Sequence, residues 1–136
     1  MIIDIHSHIK LDGQQSIFQD MDKNGIDYRI VSCLSEPDTK IANKFVEELV
    51  SAHPDRLGGC AVINPKQRDC AEECERFLEN PAMKMVEFNS LEHGYYPDVC
   101  EGVDKVLEVV AKNQAIVKVF SGIGSRAMPQ QWLKHV

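Results

Sequence analysis

The chain has 136 residues, of which 43% are hydrophobic and 26% are charged, and its formal net charge is −6. This length suits one domain with a hydrophobic core and is short for two. The acidic balance, with no cluster of Lys and Arg, excludes nucleic acid or an anionic membrane as the main partner. No apolar run approaches the ~20 residues of a membrane span. We therefore expect a single domain over residues 1–136 without a nucleic-acid or membrane partner.

The cysteines and the first residues of the chain indicate the compartment. The chain starts Met1–His6, without the basic segment that opens a signal peptide. An odd count of five cysteines shows no paired framework, and most of them lie in apolar runs where a thiol behaves as a small hydrophobic group. We therefore predict a reduced, cytoplasmic protein. The cysteines are Cys33, Cys60, Cys70, Cys74 and Cys100.

Apolar or β-branched runs alternate along the chain with segments of helical periodicity. The predicted strands begin near residues 2, 28, 57, 83 and 115. The segments between them carry apolar residues on one helical face, as at Ile41, Phe45 and Leu49. Because the strands are apolar on both faces and are joined by helices, we expect them to be parallel.

Local signals mark several helix ends. Asp69 with Glu72, and Asp98 with Glu101, have the spacing of a capping box, in which side chains satisfy the first free helix N–H groups. Asn24-Gly25 suits a helix end with a left-handed cap. These boundaries agree with the alternation of strands and helices.

Two architectures fit such a repeat, an open doubly wound sheet and a (β/α)₈ barrel. A complete barrel takes roughly 250 residues, and this chain supplies about five parallel strands. The residues Pro129–Val136 read as the start of a further helix. We therefore interpret the chain as a partial TIM-barrel-like α/β fold, either the N-terminal portion of a longer barrel or half of an assembly. A nucleotide-binding open sheet is disfavoured, because the first strand is followed by Lys10–Gly13 and not by a Gly-x-Gly-x-x-Gly motif.

Two histidines end the first strand, in the segment Asp4-Ile5-His6-Ser7-His8. Residues two apart in a strand point to the same side, so His6 and His8 should project together at the end of the strand where βα barrels place their active sites. Two imidazoles can bind one divalent cation. Asp4, one step deeper on that face, could accept a hydrogen bond from an imidazole N–H. The alternative is two unrelated histidines in an exposed turn.

Three segments resemble the amidohydrolase-related family, which includes decarboxylases of the aminocarboxymuconate-semialdehyde type alongside hydrolases. Met1–His8 resembles the opening of that family. Ala52–Pro65 resembles its passage from the second helix to the third strand, and His93–Asp98 resembles the loop after its fourth strand. The similarity runs in order along essentially the whole chain.

The resemblance implies a metal-dependent hydrolase or decarboxylase that acts on a small-molecule substrate at the mouth of a (β/α)₈ barrel. It implies a divalent metal, usually zinc, with His6 and His8 as two ligands. The family's third ligand, a His that ends the fifth strand, is replaced here by Phe120. The last ligand, an Asp after the eighth strand, lies beyond the five strands of this chain.

Other residues at strand ends are candidates for the chemistry. Glu87 could bind metal or act as a catalytic base, and Asn89 shares its strand parity. Lys118 could contact a substrate carboxylate or act as an unusual ligand, or its amine could extend into solvent from the strand end. Arg126, after the glycine-rich Gly122–Ser125, could bind an anionic substrate group. His93 follows in a loop, where a histidine is usually solvated.

A second hypothesis is a truncated or degenerate relative without catalysis. Phe120 and the five-strand length motivate it. Unpaired strand edges promote association, so such a chain would self-associate or pair with another subunit. We expect a homo-oligomer on the same grounds.

Overall fold

Five parallel strands form one curled sheet in sequence order, which gives the protein the shape of half a barrel. The computed structural model describes residues 1–125 and 127–135. The strands start within one residue of the predicted positions, and the predicted fold class is confirmed. They are β1 (Ile3–His8), β2 (Tyr28–Ser32), β3 (Leu57–Val62), β4 (Met83–Phe88) and β5 (Ile116–Val119).

Helices connect each strand to the next across the outer side of the sheet. The connection from β4 to β5 contains a short helix and a 3₁₀ turn (Pro97–Val99) before its main helix. The predicted last helix ends early and continues as a 3₁₀ turn over Leu133–His135. The α-helices are α1 (Gln14–Asn24), α2 (Thr39–Ala52), α3 (Cys70–Leu78), α4 (Ser90–His93), α5 (Glu101–Lys112) and α6 (Pro129–Trp132).

The two faces of the sheet are unequally covered. On the convex face, strand residues such as Val31 and Val86 pack with helix residues such as Met21, Val46 and Phe77 in the main core. On the concave face, a small cluster contains Ile30, Cys60 and Met85, with Tyr28 packed against it. The concave face therefore stays open toward the two outer strands, where Ile5 is 55% exposed and Ile116 is 50% exposed.

Four of the five cysteines are buried in the core, and Cys100 is partly buried against it. Cys70 and Cys74 are 2% and 0% exposed and share the buried face of α3 with Phe77. All five cysteines are free thiols.

The predicted capping boxes are wrong. Asp69 precedes α3 but makes no capping bond, because its carboxylate pairs with Lys40 at 2.6 Å. Asp98 lies in the 3₁₀ turn, and its side chain accepts a bond from Gln131. The left-handed cap at Gly25 is confirmed by its φ of 65°.

Among residues 1–125 and 127–135, none of the helices has the length and apolar character that a bilayer crossing requires.

Gly102, in the first turn of α5, provides a test of how tightly the helices pack. A Cβ at this position would overlap the carbonyl oxygen of Pro65, which belongs to the loop between β3 and α3. Alanine raises helix propensity by about 1 kcal/mol over glycine, but the overlap involves backbone atoms and forces the helix away from the loop. We expect Gly102→Ala to lower the free energy of unfolding by about 1–3 kcal/mol, measured by urea unfolding. Unchanged or increased stability would contradict this contact.

Candidate metal site

The two histidines that end β1 bring their rings together. Nε2 of His6 and Nε2 of His8 lie 3.2 Å apart, and the rings meet edge to face with centroids 5.1 Å apart. Both imidazoles are largely exposed at the carboxyl end of the strand. Two ring nitrogens thus converge on one point, as the spacing predicts.

A β-bulge in β1 determines which face each residue occupies. Asp4 is opposite Arg29 and Ser7 is opposite Val31, so that one extra residue of β1 lies between these pairs. Asp4 and Ser7 therefore share the convex face although they are three residues apart, and Ser7 Oγ donates to Asp4 Oδ2 at 2.6 Å. His8 lies opposite Ser32 on the concave face.

The expectation that Asp4 supports an imidazole is wrong. The bulge moves Asp4 to the convex face, where it pairs with Arg29 Nε at 2.9 Å and accepts a bond from the backbone N–H of His6. The same guanidinium pairs with Asp20 of α1 at 2.8 Å. Burial raises the pKa of Asp4, but the hydrogen bonds from Ser7 and His6 and the charge of Arg29 outweigh it and lower the pKa overall. Asp4 thus fastens β1 to β2 and α1.

The partner of His8 is Ser32, a residue that the sequence reasoning missed. Nδ1 of His8 lies 2.9 Å from Ser32 Oγ, and Ser32 Oγ donates to Glu87 Oε2 at 2.7 Å. Lys118 Nζ reaches the same oxygen at 2.8 Å. These four residues, called here the polar row, connect β1, β2, β4 and β5 across the concave face. The sequence did carry a signal for this residue. Ser32 is polar and falls on the same face of β2 as Ile30 and Tyr28.

Beyond the exposed ring of His8, the polar row is buried and its charges are balanced. The side chains of Glu87 and Lys118 are 3% and 16% exposed. Burial lowers the pKa of His8, and so do the charges of Lys118 and His6, while Glu87 opposes the shift. Burial, followed by the Glu87 charge, raises the pKa of the Cys60 thiol beneath them. His8 therefore favours the neutral form that a metal ligand requires.

The remaining predicted residues are spread around this end of the sheet. The amide of Asn89 caps α4, since it accepts a bond from the Glu92 N–H and donates to the Glu92 carboxylate. Burial lowers the pKa of His93, whose Nδ1 has no hydrogen-bond partner within the described part of the chain. Phe120 follows β5 and is 43% exposed. Arg126 lies outside the described residues.

The donor set at the end of β1 fits part of a cation site. Two nitrogen ligands at ~2.0–2.1 Å from a tetrahedral ion are about 3.3 Å apart, and the two Nε2 atoms are separated by 3.2 Å. Among residues 1–125 and 127–135, no group of three or more His, Cys, Asp or Glu side chains is arranged to hold a metal. The described residues therefore bring together two candidate ligand nitrogens, fewer than a complete site needs.

A cleft of about 540 Å³ lies beside β1, between the loop after the strand and α1. Ser7, Asp12, Ser16 and His8 are among its lining residues, together with Arg29. The charge of Arg29 is already neutralised by Asp4 and Asp20. The convergent ring nitrogens at the end of β1 are the stronger candidate for chemistry.

Comparison with solved structures identifies proteins of the same fold. A protein described as amidohydrolase II matches with a TM-score of 0.76 at 20% identity over 88% of this chain and 50% of its own. The 5-carboxyvanillate decarboxylase of Sphingomonas paucimobilis matches with a TM-score of 0.72 at 16% identity over 92% and 53%. That of Novosphingobium aromaticivorans, with bound manganese, matches with a TM-score of 0.69 at 15% identity over 99% and 55%.

These neighbours are members of the amidohydrolase superfamily, and the chain shares their fold. It spans about half the length of the solved structures that it matches. No protein-family model and no curated protein matches the chain.

The buried ion pair of the polar row gives a stability prediction. Lys118→Met leaves the Glu87 carboxylate buried without its counter-charge, which costs about 3–5 kcal/mol in comparable pairs. We expect the double variant Lys118→Met/Glu87→Gln to lose less stability than the single variant, because the uncompensated charge is gone. Urea unfolding followed by circular dichroism measures both.

The matched control is Lys112→Met, which removes an exposed lysine paired with Glu75 at 2.7 Å. Little change is expected there, because solvent screens exposed pairs. Equal stability losses at Lys118 and Lys112 would show that the Glu87 pair is no stronger than a surface contact.

Proposed function

We propose that this chain supplies the first metal-binding strand and part of the pocket of a metal-dependent hydrolase or decarboxylase of the amidohydrolase type. The observation that supports this is the convergence of His6 Nε2 and His8 Nε2 at 3.2 Å. The position of the two histidines at the end of β1 supports the same proposal, because βα barrels keep their active sites at the carboxyl ends of the strands. The fold shared with amidohydrolase-superfamily structures supports the same assignment.

The residues of this chain would have different roles, as metal ligands or as supports for them. His6 and His8 hold a divalent cation, and we propose zinc, which accepts imidazole nitrogen readily. A cation held there would supply Lewis-acid chemistry, by which a substrate oxygen would be polarised or water activated. Glu87 was a candidate base, but its bonds to Ser32 and Lys118 favour a supporting role. The base and the remaining ligands then come from outside the five strands.

We propose a small-molecule substrate that carries an acidic group. Lys118, on the concave face into which His8 also projects, is the predicted contact for that group, which would have to compete with the Glu87 carboxylate for the ammonium. Asn89 and Arg126 stay predicted substrate contacts. The solved decarboxylases of this fold act on 5-carboxyvanillate according to their names, which agrees with a carboxylated substrate. The free thiols favour a cytoplasmic, reducing setting.

Metal binding is the direct test. Native mass spectrometry of the chain equilibrated with zinc should show a zinc-bearing species that disappears in the double variant His6→Ala/His8→Ala, because both ring nitrogens are removed. Replacing His53, whose ring packs on Phe18 in another part of the molecule, by Ala should leave the zinc-bearing species in place. Zinc retained equally by the double variant would sink the assignment of these two ligands.

The alternative is a non-catalytic chain that associates through its sheet edges. It is favoured by the apolar side chains exposed on the two outer strands, among them Ile3 and Ile5 of β1 and Ile116 of β5. An open sheet of this kind presents unpaired backbone groups on both sides. Association and metal binding are compatible, so this proposal needs its own measurement.

Sedimentation of a variant with a lysine on β1 tests whether the chain associates through that edge of the sheet. Ile5→Lys puts a charge on the outer strand, where lysine opposes strand pairing, and we expect it to shift the chain from dimer to monomer. Val99→Lys is the control, since Val99 is 75% exposed in the 3₁₀ turn and belongs to neither edge strand. A wild-type chain that is monomeric at all concentrations, or variants that dissociate alike, would contradict association through β1.

A further inference from the structure

The direction of the hydrogen bonds along the polar row determines where His8 carries its proton. Lys118 Nζ lies 2.8 Å from Glu87 Oε2, so the carboxylate is held in its ionised form and has no hydrogen to give. Ser32 must therefore donate to that oxygen, at 2.7 Å. A hydroxyl has a single hydrogen. Ser32 Oγ can then only accept from His8 Nδ1, at 2.9 Å.

We propose that Ser32, Glu87 and Lys118 are positioning residues that hold His8 as the tautomer with its hydrogen on Nδ1, which leaves a free lone pair on Nε2. That lone pair faces Nε2 of His6. In metal sites, a fixed hydrogen bond at the other ring nitrogen sets the tautomer and the ring orientation. The inference gains its functional meaning from the proposed metal site, but the tautomer itself is a property of the metal-free chain.

The same reasoning assigns the opposite tautomer to His6. Because Nε2 of His8 carries no hydrogen, the 3.2 Å contact is a hydrogen bond only if His6 Nε2–H donates it. His6 would have to give up that hydrogen before its Nε2 could bind a cation, and its exposed ring can pass it to water and take one up on Nδ1. His8 needs no such change. The two proposed ligands are thus unequal. The polar row holds His8 in the tautomer that can bind a cation, whereas His6 has to change its tautomer first.

The groups that face His8 come from four of the five strands. They are His6 on its own strand, Ser32 on β2, Glu87 on β4 and Lys118 on β5. Ser32 is fully buried and makes the contact to Nδ1. Ser7 is the matched serine on the other face of β1, where its hydroxyl bonds Asp4 instead.

Nuclear magnetic resonance of the metal-free chain tests the inference. In a long-range ¹H–¹⁵N correlation spectrum of histidine-labelled protein, assigned with His8→Gln, His8 should show the pattern of the Nδ1–H tautomer and His6 that of the Nε2–H tautomer. Ser32→Ala should remove the preference of His8, and Ser7→Ala should leave it intact. Calorimetric titration with zinc should show affinity reduced about 10- to 100-fold in Ser32→Ala and unchanged in Ser7→Ala.

The outcomes separate this inference from the proposed function. An Nε2–H tautomer of His8 in the wild-type chain, or a tautomer unaffected by Ser32→Ala, overturns the inference even if zinc binds. The expected tautomers without any zinc binding support the inference and remove the metal site. If Ser32→Ala does not fold, Ser32→Thr takes its place as a rescue, since it keeps the hydroxyl and should keep the Nδ1–H pattern. Loss of that pattern in a folded Ser32→Thr chain also counts against the inference.

Discussion

A carboxylate buried on the concave face constrains this half-barrel. Glu87 is 2% exposed, and a buried charge is tolerated only when opposite charges and hydrogen bonds surround it. Its partners come from β2 on one side and from β5 on the other, so the sheet must curl until Ser32 and Lys118 reach the same oxygen. The orientation of His8 follows, because its ring is bonded to the serine that serves the carboxylate.

Different interactions stabilise the two faces of the sheet. On the convex face, helices cover the strands with an apolar core, and Asn43 of α2 completes the bonding of β3 by exchanging two hydrogen bonds with the backbone of Val62. On the concave face, apolar contacts are few and polar bonds connect the strands. The β-bulge in β1 separates the polar side chains of the two faces, because it directs Asp4 to the convex side and His8 to the concave side.

Sequence periodicity predicted the five strands, their parallel order and the placement of His6 and His8 together, since each depends on patterns within a short stretch of chain. Predictions from the sequence failed where contacts between residues far apart in the sequence determine the local structure. The bulge that moved Asp4 is invisible in a two-residue period, and the capping role expected of Asp69 was overridden by Lys40, which lies 29 positions away. Glu87 and Lys118 were candidates one by one, but only the structure shows that they share one oxygen with Ser32.

The irregularity in β1 also bears on protein engineering. Side chains two positions apart on a regular strand are separated by about 6.6 Å along its axis, so two imidazole rings must lean toward each other before their outer nitrogens can meet. Here an extra residue between Asp4 and Ser7 accompanies a separation of 3.2 Å between those nitrogens. A designer who transplants the two histidines would therefore move the bulged segment with them, because in this chain the two nitrogens meet within it. The portable unit is the deformed strand together with its serine-bearing neighbour.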